Sequence, residues 1–100
     1  MAKQKYMQII QFETDDIDAS IKLIEDFLKA TEGKRASGHG WTCADRDNPG
    51  RYFTVVEFDS YEDAQKNDEL PATKAMAEQQ MKNSKGAPTF YNLDVLFEGE

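Results

Sequence analysis

The sequence predicts an α+β domain in the order βαββαβ, an antiparallel four-stranded sheet with its helices on one face. Three observations predict it. Four segments rich in β-branched and aromatic residues alternate with segments of helical period. The run Asp47-Asn48-Pro49-Gly50 is a strong turn and joins the two middle strands as a hairpin. Each helix must also cross over between parallel strands, and right-handed crossovers bring both helices to the same side. At 100 residues, of which 39% are hydrophobic, the chain has material for one core and one domain spanning 1–100.

Residues 4–13, QKYMQIIQFE, read as the first strand. Tyr6, Ile10 and Phe12 fall on one face and Met7 and Ile9 on the other, as in a strand covered on both sides. Thr14-Asp15-Asp16 supplies capping side chains and negative charge for a helix start. Ile17, Ile21, Ile24 and Leu28 then recur at helical spacing, with Leu23 and Phe27 widening the stripe. That stripe is expected to be core, and Gly33 to stop the helix. Residues 36–46, ASGHGWTCADR, read as an irregular strand in which His39, Trp41 and Cys43 alternate with small residues. Its glycines mark a bulge or a close approach of backbone. RYFTVVEFD, residues 51–59, is the clearest strand of the chain. Ser60 and Asp63 form a capping box that opens the second helix, which Leu70-Pro71 interrupts. Thr73, Met76, Ala77 and Met81 resume the helical spacing until Gly86 and Pro88. The last strand, TFYNLDVLF over 89–97, sets Tyr91, Leu93, Val95 and Phe97 against the mixed set Phe90, Asn92, Asp94 and Leu96.

Charge and composition exclude several functions. Lys and Arg total 12 against 19 acidic residues, a net charge of −7, so a nucleic-acid partner is not expected. No apolar run approaches a membrane span and the N-terminus lacks a signal-peptide core, which points to a cytoplasmic protein with no membrane partner. Cys43 is the sole cysteine, so neither an internal disulfide nor a cysteine zinc knuckle can form. His39, Cys43, Asp45 and Asp47 are too spread for convergent metal geometry, and no nucleotide-binding glycine motif occurs; no metal or cofactor is expected. The sheet face away from the helices carries aromatic residues, and the economical cover for it is a second copy, a homodimer.

The hairpin RDNPGRYFTVVEF followed by the broken helix DSYEDAQKNDELPATKAMAEQ resembles the dimeric α/β-barrel superfamily, ferredoxin-like in fold. Within it the chain is similar to small proteins of the antibiotic-biosynthesis-monooxygenase type. The likeness covers nearly the whole chain in topology and length. It implies two sheets packed as a dimeric α/β barrel with a small-molecule site in the lumen. It does not imply one reaction, since the superfamily holds cofactor-independent oxygenases, haem-degrading enzymes, polyketide cyclases, dye peroxidases and isomerases. Its haem-degrading branch places a histidine on the second helix, where this chain has none.

His39 is the only histidine and the first candidate for a lumenal general base; a structural or surface histidine is the plainer alternative. Glu57, flanked by Val56 and Phe58, is the second candidate, or else the partner of a lysine. Trp41 shares the face of His39 and could stack on a flat ligand, or serve as core or dimer interface. Asn92 and Asp94, with Tyr6 and an amide from Gln8 or Gln11, are candidates for substrate binding, Asn92 or a tyrosine stabilising the oxyanion; alternatively this face of an end strand lies in solvent and needs no special account. Cys43 lies about 13 Å from His39 along an extended strand, too far for a nucleophilic pair. Two readings follow: a cofactor-independent monooxygenase-like enzyme acting on a small aromatic or enolisable substrate, or a non-catalytic ligand-binding or dimeric interaction module.

Overall fold

The computed structural model describes residues 4–35 and 37–99; residue 36, where the second strand was expected to begin, lies outside them, as do residues 1–3 and 100. The elements are β1 (Tyr6–Glu13), α1 (Ile17–Ala30), β2 (Ser37–Ala44), β3 (Arg51–Phe58), α2 (Tyr61–Asp68), α3 (Pro71–Asn83) and β4 (Thr89–Asp94). The four strands form one sheet in the order β2-β3-β1-β4, and every neighbouring pair is antiparallel. The fold is the expected α+β, ferredoxin-like one, with the helices on one face.

Local chemistry sets the boundaries. The Asp16 carboxylate accepts from the Ala19 N–H at 3.1 Å and opens α1. The helix ends at Ala30, earlier than Gly33, with Thr31 as its C-cap; the Thr31 N–H and hydroxyl both donate to the Phe27 carbonyl, at 3.0 and 2.7 Å. Gly33 instead takes φ +80° in the turn that follows. Ser60 accepts from the Asp63 N–H at 3.2 Å to open α2, and Pro71 at the start of α3 divides the second helical segment in two. In the hairpin, Asp45 accepts from the Asp47 N–H and from Asn48, and Gly50 has φ +89°. The last strand stops at Asp94 and not at residue 97. Val95 still donates to the Lys5 carbonyl, but β1 begins at Tyr6 and offers no strand beyond it, so Leu96 and Phe97 lie 88% and 86% exposed.

Register sorts the side chains. Tyr6, Gln8, Ile10 and Phe12 share the helix side with Phe58, Val56 and Asn92, while Met7, Ile9, Val55, Trp41, Tyr91 and Leu93 occupy the other. The core lies at one end of the helix side, where Tyr6 (4% exposed) and Phe58 (3%) pack with Ala64 of α2, and Tyr61 meets Tyr6 edge-on. Phe12, also buried, pairs with Tyr52 at the opposite end.

The apolar stripe of α1 departs from its expected role. None of its six residues is buried, and Ile21 and Leu28 are exposed. The buried residue of α1 is Ser20, whose hydroxyl donates to the Gln80 side-chain Oε1 while Gln80 Nε2 donates to the Ser20 backbone carbonyl at 3.0 Å. A polar clamp thus holds α1 to α3, and the stripe stands over the sheet without closing on it. β1 records the result on its helix side, where Tyr6 and Phe12 are buried and Gln8 and Ile10 between them only half-buried. The accessible surface is 7204 Å², against about 5,800 Å² for a compact chain of this mass.

Candidate functional site

The half-open middle of the helix side carries the best-organised polar cluster. In the β1–β4 register Gln8 lies opposite Asn92, and Tyr6 opposite Asp94. The Tyr6 hydroxyl donates to Asn92 Oδ1 at 2.6 Å, and Gln8 Nε2 donates to the same oxygen at 3.4 Å. Two donors on its carbonyl fix the way the Asn92 amide is turned. Its N–H groups are left to donate elsewhere, as a group that stabilises a ligand oxygen must.

Burial raises the Tyr6 phenol above its ordinary pKa of 10.0, and the nearby charges of Tyr61, Asp68 and Asp94 add to the rise. Tyr6 is therefore a donor at neutral pH and not a base. Asp68, the last residue of α2, is exposed, and desolvation pushes its carboxyl up. Beside it Asn67 is buried, and its side-chain oxygen has no hydrogen-bond partner among the described residues. An interior acceptor left so costs about 1–3 kcal/mol. Gly40 and the Thr42 and Thr54 hydroxyls, 3.4 Å apart, lie on the same sheet face. A separate cleft of about 550 Å³ lies between the start of α2 and the end of β4, lined by Tyr61, Asp63, Lys66 and Asp94 among others but not by Tyr6, Asn67 or Asn92.

His39, Trp41 and Glu57 lie on the opposite face. The strand register shifts between Ser37 and Gly40, the bulge that the glycines signalled, and the His39 ring stacks on Trp41 with centroids 5.8 Å apart. Both residues are exposed, Trp41 to 49%. Glu57 pairs with Lys5 at 3.1 Å, and Lys5 also reaches Glu98 at 2.7 Å. Hydrogen bonds to Glu98 and then Glu57 raise the Lys5 ammonium above its ordinary 10.5.

The structure thus splits the residues that the sequence reading assigned to one lumen. Tyr6, Asn92 and Asp94 share the helix side of the sheet, Asn92 and Asp94 exposed on its edge strand, and His39, Trp41 and Glu57 do not join them, because β4 pairs Asn92 and Asp94 with the helix-side residues of β1. Asn67 and Asp68 were missed. In the sequence Lys66-Asn67-Asp68-Glu69 looks like a solvated helix face, and nothing in it marks Asn67 as buried or Asp68 as close to Tyr6. Among the described residues no three His, Cys, Asp or Glu side chains form a metal-binding group, and no helix is long and apolar enough to cross a membrane.

Neither a family model nor a curated protein matches the sequence. Solved structures match the fold closely. The chain is similar to a "putative antibiotic biosynthesis monooxygenase" of Nitrosomonas europaea, at TM-score 0.79 and 11% identity, over 97% of this chain and 95% of that one. A Caulobacter crescentus protein of the same description matches at TM-score 0.80 and 13% identity, over 95% and 92%. A variant of SnoaB, a cofactor-independent oxygenase of Streptomyces nogalater, matches at TM-score 0.80 and 7% identity, over 95% and 96%. The chain has the ferredoxin-like fold of these antibiotic biosynthesis monooxygenase proteins.

Proposed function

We propose that the chain is a cofactor-independent monooxygenase-like enzyme that takes a small aromatic or enolisable substrate between its helices and its sheet. The observation that carries this reading is the Tyr6–Asn92–Gln8 network, which presents oriented amide N–H groups to a half-open layer. In this reading Asp68 removes the acidic proton of the substrate, and Asn92 donates to the substrate oxygen on which charge develops. The carbanion so formed is itself the reductant of dioxygen. One oxygen atom enters the product and the other leaves as water.

His39 and Trp41 then belong to a surface covered by a second copy. The large exposed area and the apolar residues Met7, Ile9, Val55, Trp41, Tyr91 and Leu93 support a homodimer, since a standard interface hides about 800 Å² per partner. A ligand-binding module without turnover is the second reading. It is favoured by the position of the only imidazole, on the face away from the cleft.

Oxygen uptake with anthrone, whose methylene lies between two aromatic rings and is activated by the ring ketone, tests the proposal. The expected product is anthraquinone with one water per dioxygen. Asn92→Ala and Asp68→Asn are expected to lower the rate by at least about tenfold, and His39→Ala to leave it within about twofold. Loss in His39→Ala alone would move the site to the open face. Binding without uptake would favour the module.

A further inference from the structure

We propose that β4 is a pairing edge for a second copy of this chain, the two β4 strands lying antiparallel about a twofold axis at Leu93 and joining their sheets edge to edge. This edge is distinct from the open sheet face, and the pairing stands whether or not that face is covered.

The two edges of the sheet differ. β2 forms one, and it is blunted: its register shifts between Ser37 and Gly40, and α2 lies against it. β4 forms the other. Its register with β1 is unbroken from Thr89 to Asp94, all six of its residues are exposed, and it holds no proline, lysine or arginine. Val95 donates to the Lys5 carbonyl, so the odd-numbered residues of this strand turn their backbone groups inward to β1. By alternation Phe90, Asn92, Asp94 and Leu96 turn theirs outward, where a further strand would meet them.

The segment from Thr89 to Phe97 is matched to itself about Leu93. Antiparallel pairing there sets Asn92 against Asp94, Tyr91 against Val95, Phe90 against Leu96 and Thr89 against Phe97. Leu96 and Phe97 are the most exposed large apolar residues among those described, and they run past the start of β1. In this register they gain Phe90, itself 54% exposed, and Thr89 of the second copy. The polar pair also fits. Asn92 Oδ1 is held by Tyr6 and Gln8, which leaves N–H groups to donate. Asp94 is exposed and in no ion pair among the described residues, so its carboxylate is free to accept one of them. Centring the pair on Asn92 would instead set Phe90 against Asp94 and Leu96 against Pro88, which has no N–H to give.

Sedimentation of the full chain, at concentrations rising from micromolar to millimolar, tests this. The native chain is expected to double the mass it has at the lowest concentration. Phe90→Glu with Leu96→Glu sets like charges against each other in this register and is expected to abolish the doubling. Phe90→Lys with Leu96→Glu sets opposite charges in the same places and is expected to restore it. Both positions are exposed, so the far-ultraviolet circular dichroism is expected to stay unchanged in each variant. No doubling by the native chain, doubling that survives in the like-charged variant, or loss in both variants overturns the pairing. The mass at the lowest concentration reports on the open face separately: one chain there removes its cover by a second copy and leaves the edge standing.

Discussion

On its helix side the sheet buries Tyr6 and Phe58 almost completely, whereas on its other side Trp41, Tyr91 and Leu93 each keep over two-fifths of their surface exposed. The same four strands build both faces, so strand propensity cannot explain the contrast. What differs is the cover. The helices seal the helix side at its ends, at Tyr6–Phe58–Ala64 and at Phe12–Tyr52, and leave its middle half-open. The other side is largely apolar, interrupted by the Glu57–Lys5 pair, and among the described residues no element lies over it. A face closed at its ends and polar in its middle is arranged to hold a small molecule. A flat, uncovered apolar face is arranged to meet another surface.

Truncation separates the two faces most strongly. Phe58→Ala is expected to cost about 3–5 kcal/mol in urea unfolding, as a buried aromatic does. Leu93→Ala, on the open face, is expected to cost the single chain less than about 1 kcal/mol. An equal cost at Leu93 would mean that its face is covered in solution and would sharpen the case for a dimer. The double variant Tyr91→Lys with Leu93→Lys is expected to shift native mass spectra from two chains to one, with the far-ultraviolet circular dichroism unchanged. An unaltered mass would break the assignment of this face to a second copy.

Smaller effects probe the polar groups. Tyr6→Phe removes the donor to Asn92 and is expected to cost about 1 kcal/mol, since Gln8 still reaches the same oxygen. Titration gives the smallest signals. The folded-state pKa of Asp68 is raised above its ordinary 3.8 by desolvation, so its contribution favours folding in acid and is lost as the pH rises through the raised value. Asp68→Asn is therefore expected to stabilise the chain at pH 7, with the gain closing as the solution is acidified. Lys5 is also raised, so its pairing with Glu98 and Glu57 contributes below its ordinary 10.5 and is lost as the pH climbs through the raised value. Lys5→Met is expected to flatten that alkaline loss in a series of thermal midpoints.

Much of the fold was legible in local chemistry. The Ser60–Asp63 capping box, the Leu70-Pro71 break, the hairpin at 47–50 and the bulge among the glycines of β2 all appear where their residues require them. The α1 stripe misled. Helical spacing of apolar residues shows that one face is apolar but not how closely a sheet approaches it, and here the Ser20–Gln80 clamp, between residues 60 positions apart, settles that distance. The candidate site was legible only in part. Tyr6, Asn92 and Asp94 do come together, but no alternation pattern could show that His39 and Glu57 would lie across the sheet from them.

The sequence by itself determined the kinds and order of the elements, because capping, turn formation and side-chain periodicity act over a few residues. It also determined that His39 and Trp41 share a face, since residues two apart on a strand project together. Only the tertiary structure decided which face the helices cover, that Asn92 meets Tyr6 and Gln8, and that Asn67 lies buried with an unpaired oxygen. Those outcomes depend on register and packing between residues distant in the chain, and such contacts exist only once the strands have paired and the helices have docked.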